Sequence, residues 1–345
     1  MKRHGYLFEK AFTKDNISLA IDKASKGKRK RKNVIKILCN KEKYVDKIYE
    51  LVHSGNFKPA EYTHAIIIDG VSKKQRELCK PKFYPDHIVE WCIYLVLEPI
   101  LKSSLIKNTF ASLKGRGQKY GKLKVQKIVK TKKGRYFYKS DFRKFYPSVD
   151  NGLLMKMLER KIKDCKLMKM LKDIIYLEKG LPIGMILSQL FSNFYLNALD
   201  HKMESRNYYR YADDVVIFGK TAQIVHEARK IFEREAEKLR ATIKSTWAVF
   251  KLKKCPLDFM GFRFLRTHTI IRKSIMYRMT KRVRKWVKNN SLKNAHGITS
   301  YMGWVKNTNS YMLYQKYIRP FVNFKVLKDI IRKGDVKNEN LCFGI

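Results

Sequence analysis

Residues 207–219 read NYYRYADDVVIFG: two apolar runs flank a pair of adjacent carboxylates, Asp213 and Asp214. The runs are rich in Tyr, Val, Ile and Phe, which suits strands, and the acids suit a tight turn between them. Burying both strands would leave an acidic tip at the rim of a core. Acids are scarce in this chain. Its 345 residues carry 76 Lys plus Arg against 30 Asp plus Glu, a formal net charge of +46. One explanation of the tip is an Asp-rich β-turn, because Asp bonds its own backbone there. The other is a site for a hard cation, which takes carboxylate oxygens.

A third acid bears on that choice. YFYKSDF (Tyr136–Phe142) is β-rich and places Asp141 at its end. Two-metal phosphoryl transfer demands such a set. The ions stabilise the attacking and leaving oxygens, and one strand cannot surround both, so carboxylates must converge from separate strands. Asp141 and Asp213 on adjacent strand ends would meet that need. Asp150 and Asp200 lie nearby in sequence and read as a helix N-cap and a helix-end polar residue.

Composition narrows the partners. With 45% hydrophobic and 12% aromatic residues the chain can bury a core, so it is not a disordered basic tail. Charge this far from zero calls for a polyanion, nucleic acid first and an acidic membrane surface second. Membrane insertion is not expected: the most apolar stretch, Ile88–Leu101, is short and interrupted by Glu90, Glu98 and Pro99. The N-terminus lacks the apolar run of a signal peptide. Six cysteines are scattered with no CxxC pair. They read as reduced cytoplasmic thiols, not as a disulfide frame or a zinc site.

Along the chain, KASKGKRKRK (Lys23–Lys32) has seven basic residues in ten. It suits a solvated loop or a phosphate-binding arm. A helix is expected over Lys41–Gly55, strands at Thr63–Asp69 and Gln75–Cys79, and an apolar helix from Asp86 to about Leu101. A glycine-containing stretch then leads into a basic helix before Gly134. Ser188–Met203 reads as one buried helix. Thr221 reads as the N-cap of an amphipathic helix to Arg240. Asp258–Ile271 reads as a hairpin, and the chain from Ser274 is helical, basic and rich in Tyr and Trp. The expected class is α+β with a helical C-terminal subdomain.

At this point a resemblance carries further. Tyr211-Ala212-Asp213-Asp214 looks like the YxDD box of reverse transcriptases, and SDFRKFYPSVD (Ser140–Asp150) resembles their first catalytic-aspartate motif. LPIGMILSQLFSNFYLNALD (Leu181–Asp200) resembles the motif that follows. Its IGxxxSQ form is similar to that of reverse transcriptases from diversity-generating retroelements, where retrons and group II introns usually carry QG…SP. The motifs keep family order over roughly residues 60 to 320. Ala212 stands where Met is frequent in the family; only a small or flexible residue is needed there.

The resemblance implies a right-hand polymerase. Residues 1–40 would be a basic N-terminal extension, 41–265 fingers and palm, and 266–345 a basic helical thumb and tail. Asp141 and Asp213 would bind catalytic metal, with Asp214 assisting and Phe142 lending its backbone carbonyl. The metal would be two Mg²⁺ ions, with Mn²⁺ as the alternative. Tyr146, five residues after Asp141, would be the aromatic gate that favours dNTPs; a core tyrosine is its plain alternative. Arg76 would hold the incoming triphosphate, with Lys73 and Lys74 as helpers, and Gly184 would line the nucleotide site. Lys244 matches a proton donor to pyrophosphate. Ile183 replaces a glutamine amide beside the nascent pair and so implies inaccurate copying, chiefly at template adenines. Arg278, Lys281, Arg282, Arg284 and Lys285 would hold backbone phosphates.

The implied function is RNA-directed DNA synthesis on a structured retroelement RNA. The product would be an RNA/DNA hybrid, the partner an oligomeric accessory variability protein, and the setting the cytoplasm, with a bacterial or phage gene. The rivals are a retron or group II intron reverse transcriptase and a catalytically silent RNA-binding relative. On this reading no maturase or endonuclease domain is expected after the thumb. Intact Asp141, Asp213 and Asp214 argue against the silent relative.

Overall fold

A computed structural model describes residues 3–68, 75–244 and 248–340. Its strands are β1 (Thr63–Ile68), β2 (Gln75–Lys80), β3 (Tyr136–Asp141), β4 (Tyr208–Tyr211), β5 (Asp214–Gly219), β6 (Val249–Lys251), β7 (Leu257–Phe259), β8 (Phe262–Phe264) and β9 (Thr269–Ile271). They alternate with helices, so the class is α+β as expected. β1 and β2 pair antiparallel, with Ile67 opposite Arg76. The central sheet has the order β4-β5-β3-β6. Chain order does not predict that arrangement: β3 sits beside β5, and the strand ends bearing the acids become neighbours.

Two local expectations change. The segment Asp258–Ile271 forms a three-stranded meander, β7-β8-β9, in place of one hairpin. Met260 and Gly261, at φ 54° and 83°, make the tight first turn, a pairing of left-handed residues that suits strand twist. The Ser188–Met203 stretch divides into helices Ile186–Tyr195 and Asn197–Met203. The Lys23–Lys32 cluster is the turn between helices Lys14–Ser25 and Lys32–Cys39, with Gly27 at φ 75°. The first of these helices is no loose arm. Thr13 caps it by accepting from the Asn16 N–H at 3.2 Å, and Asn16 Nδ2 donates to the Cys92 carbonyl at 3.2 Å. Its Ile17, Ala20, Ile21 and Ala24 are buried.

Helix Ile88–Ser103 buries Ile88, Val89, Cys92, Ile93, Leu97 and Leu101. Among the described residues, no helix is long and apolar enough to cross a membrane.

The chain divides into two compact units. One comprises Met1–Gly117, Ser140–Val215 and Glu227–Trp247; the other comprises Gln118–Lys139, Val216–His226 and Ala248–Ile345. In the second unit, helix Lys273–Lys288 buries Ile275, Met279, Val283 and Trp286 against Ala295, Ile298 and Leu327. The helical spacing of those four leaves the opposite face basic. Arg278, Lys281, Arg284 and Lys285 are exposed. Arg282 is half-buried and donates to Asn294 Oδ1 at 3.1 Å, so its charge is engaged within this bundle. Tyr301, Trp304 and Tyr314 pack on the same core, whereas Tyr311 is exposed.

Candidate active site

Every described residue of the candidate site belongs to the first unit. Asp141 ends β3, and Asp213 and Asp214 lie at the β4–β5 turn. Ala212 takes φ 54° there, a left-handed position that a small side chain tolerates at modest cost. Backbone bonds tie the two strand ends together. The Phe142 N–H donates to the Asp213 carbonyl at 3.4 Å, and the Lys244 N–H donates to the Asp141 carbonyl at 3.1 Å. Phe142 forms an antiparallel bridge with Ile243. Its ring is buried against Phe145 and Phe232, with centroids 5.4 Å and 5.7 Å away. That side chain packs the core, and its backbone belongs to the site.

The electrostatics follow from this convergence. Burial raises the Asp213 carboxyl above the usual range, and the Asp141 charge raises it further, while Lys244 and Arg76 pull it down. Lys244 Nζ forms an ion pair with the Asp141 carboxylate. Two carboxylates are thus drawn together in a partly desolvated place, with an ammonium already countering one of them. A donor set of hard oxygens carrying concentrated negative charge fits a divalent cation. Asp141 and Asp213 would hold it, with Asp214 at the same turn.

Two other expected residues interact with this point electrostatically, Arg76 and Tyr146. Arg76 is exposed on β2, and its charge reaches Asp213. Lys73 and Lys74 lie outside the described residues. Tyr146 is half-buried on the short helix Phe145–Ser148, its hydroxyl 3.4 Å from Ser192 Oγ. Burial raises its phenol above the ordinary value, so the ring is neutral. Ile183 and Gly184 lie against β2: the Cys79 N–H donates to the Ile183 carbonyl at 2.8 Å. At Gly184, φ is 113° and an added Cβ would sit 2.5 Å from the Cys79 carbonyl oxygen, so only glycine fits. Ile183 is half-buried.

Sequence reading missed Arg210 and misread Asp200. Asp200, read as a helix-end polar residue, lies within helix Asn197–Met203 and is fully buried, as is Arg210. Asp200 Oδ1 accepts from Arg210 Nε at 2.8 Å and from the Tyr208 hydroxyl at 2.8 Å; Oδ2 accepts from Arg210 Nη2 at 2.5 Å. Arg210 Nη1 donates onward to Asn193 Oδ1 at 3.1 Å and to the Ala212 carbonyl at 3.0 Å. The guanidinium therefore grips the turn one residue before Asp213. An arginine inside the apolar run YYRY was the available signal, since a charge within a buried strand needs a partner. Asp150 is the N-cap expected of it, accepting from the Leu153 N–H at 2.7 Å.

The chain resembles known proteins over part of its length. Residues 74–264 match the family described as reverse transcriptase (RNA-dependent DNA polymerase), more than half of the chain. The group II intron-encoded protein LtrA of Lactococcus lactis subsp. cremoris is 27% identical over 172 residues, 46% of this chain and 28% of LtrA. Protein YkfC of Escherichia coli (strain K12) is 26% identical over 279 residues, 65% of this chain and 70% of YkfC. The structure of telomerase from Candida albicans has a TM-score of 0.47 and 12% identity, covering 81% of this chain and 60% of that one. The chain thus spans 28% of the length of LtrA.

Proposed function

This chain belongs to the reverse transcriptase family, and on that premise we propose that it copies RNA into DNA by extending a primer 3′-hydroxyl with dNTPs. The observation that carries the reading is the convergence of Asp141 and Asp213 beside Lys244 and within reach of the Arg76 charge. Asp141, Asp213, Asp214 and the Phe142 carbonyl would hold divalent cations, Mg²⁺ first and Mn²⁺ as alternative. Such cations, when bound, supply Lewis acidity and charge neutralisation for phosphoryl transfer. Arg76 holds the triphosphate through its fork of N–H donors, with Lys74 assisting. Lys244 Nζ, paired with Asp141 here, would give a proton to the leaving pyrophosphate. Residues 41–265 serve as fingers and palm and 266–345 as thumb. In that thumb Arg278, Lys281, Arg284 and Lys285 present charge to a duplex without reading its sequence. The test is primer extension on a primed RNA with dNTPs and Mg²⁺: labelled cDNA is expected, and its absence with either metal overturns the reading.

Tyr146 selects the sugar. Its hydroxyl lies 3.4 Å from Ser192 Oγ, and a ring in that place would crowd a 2′-hydroxyl on the incoming sugar. Tyr146→Ala is expected to raise the ratio of rNTP to dNTP incorporation, with a smaller effect on dNTP use. An unchanged ratio in a folded, active variant would assign Tyr146 to the core alone.

The finer reading is a diversity-generating retroelement enzyme that miscopies template adenines, works on a structured retroelement RNA and has an oligomeric accessory protein. What supports it is the IGMILSQ segment, with an isoleucine at position 183 that offers neither donor nor acceptor. Ile183→Gln restores one or two hydrogen bonds, each net roughly 0.5–1.5 kcal/mol. Misincorporation should fall by about tenfold at most, mainly opposite adenine. Sequencing cDNA from both forms on one template decides it, and equal spectra would place the inaccuracy elsewhere. A second reading, a group II intron-type enzyme, is favoured by the similarity to LtrA. It predicts an error spectrum without adenine enrichment.

A further inference from the structure

We propose that His64, Cys79 and Glu178 form a binding site for a borderline-soft divalent ion of the Zn²⁺ class, separate from the polymerase carboxylates. Their ligand atoms all lie within 4.8 Å of one another. His64 comes from β1, Cys79 from β2, and Glu178 from the segment that leads to Ile183. Nothing in their spacing announces the site: positions 64, 79 and 178 lack any CxxC or HxxxH pattern. Only the antiparallel register, which sets His64 opposite Cys79, and the fold of the 176–185 segment bring them together. The fold thus gathers three ligand-type side chains that the scattered cysteines did not announce in the sequence.

The geometry suits the ion. His64 Nε2 lies 3.1 Å from Glu178 Oε1, and Cys79 Sγ lies 3.7 Å from His64 Nδ1. A tetrahedral site with bonds of about 2.0 Å to N and O and 2.3 Å to S has ligand edges of roughly 3.3–3.6 Å. The three ligand atoms lie within 4.8 Å of one another, and rotation of the partly exposed His64 and Glu178 side chains would close them to these edges. With the ion on Nε2, the other ring nitrogen remains a donor, and Nδ1 already lies 2.9 Å from Glu77 Oε1. A carboxylate that orients a ligating imidazole in this way is a recurring feature of zinc sites.

Two carboxylates now face the two ring nitrogens, and a carboxylate only accepts. A divalent ion takes the lone pair on Nε2 of an imidazole that keeps its N–H on Nδ1, and it displaces the Cys79 thiol proton, which passes to solvent. Cys79 is 7% exposed and packs with Tyr62, Met185 and Leu177, which shield one side of the site. His64 and Glu178 have side chains 42% and 31% exposed, which leaves a path for the ion and room for a water as fourth ligand. A thiolate with an imidazole selects zinc over the Mg²⁺ that polymerisation uses. The ion would pin the base of the β1–β2 hairpin to the Ile183 segment, reinforcing the Cys79–Ile183 backbone bond.

The test uses the full-length chain, stripped with a chelator and titrated with Co²⁺. One equivalent should give a near-ultraviolet sulfur-to-cobalt band, displaced by Zn²⁺ and unmoved by excess Mg²⁺. Cys79→Ser should abolish the band. Glu77→Gln should weaken binding by about 10–100-fold through loss of the acceptor on Nδ1. Zn²⁺ should raise the thermal midpoint of the wild type and not that of Glu178→Gln. A wild type without the band, or a band that survives Cys79→Ser, overturns the site; the latter assigns the thiolate to another cysteine. If Cys79→Ser fails to fold, the His64→Ala and Glu178→Gln variants decide. These half-exposed positions tolerate change, and unchanged affinity in both overturns the proposal.

Discussion

Asp213→Asn is expected to lower cDNA synthesis by on the order of 10²–10³-fold or more, the scale at which loss of one preorganised electrostatic group is felt. The substitution keeps volume and removes one negative charge. At this position the charge has been brought beside Asp141 against the preference of both burial and like-charge repulsion, and those are the forces that raise the Asp213 carboxyl. An amide ends the repulsion and with it the attraction for a hard cation. RNA affinity should be nearly unchanged, because a net charge of +46 carries binding. The two readouts, primer extension and RNA affinity against salt, must therefore separate. Extension at the wild-type rate would show that these acids are a structural turn. Joint loss of synthesis and RNA affinity would show that the variant had lost its fold.

The largest effect on stability should come from Asp200→Asn. Arg210 is fully buried, and its guanidinium is neutralised by Asp200 at 2.5 Å. Removing one partner of a buried pair costs about 3–5 kcal/mol, because the remaining charge has no water to return to. The denaturant midpoint of the first unit's transition should fall accordingly. The companion variant Asp200→Leu with Arg210→Met removes both charges at similar volume and should recover much of the loss. It should not recover synthesis. Arg210 also donates to the Ala212 carbonyl at 3.0 Å, and the methionine leaves that turn unheld in front of Asp213. Arg210 is thus a positioning residue, and the distinguishing readout is synthesis that stays low in a variant whose stability has returned. An unaltered midpoint in Asp200→Asn would mean that the buried pair contributes nothing.

The sequence by itself determined whatever is decided within a few residues. Strand pattern and turn chemistry put Asp141 at a strand end and Asp213 in a turn, because apolar alternation and Asp turns act locally. The caps at Asp150 and Thr221 were legible for the same reason: each side chain accepts from an N–H three residues on, Leu153 and Ile224. Left-handed Met260 lies just as locally in the meander, and it was missed because a non-glycine residue at positive φ leaves little trace in sequence. Tertiary structure alone decided which of these local pieces meet. Lys244 reaches Asp141 across 103 residues, Arg210 reaches Asp200 across a helix-to-strand packing, and Glu178 reaches His64 from another element. Such pairings have no sequence period. They arise when sheet order places β3 beside β5, and burial then makes an unpartnered charge too costly to leave alone.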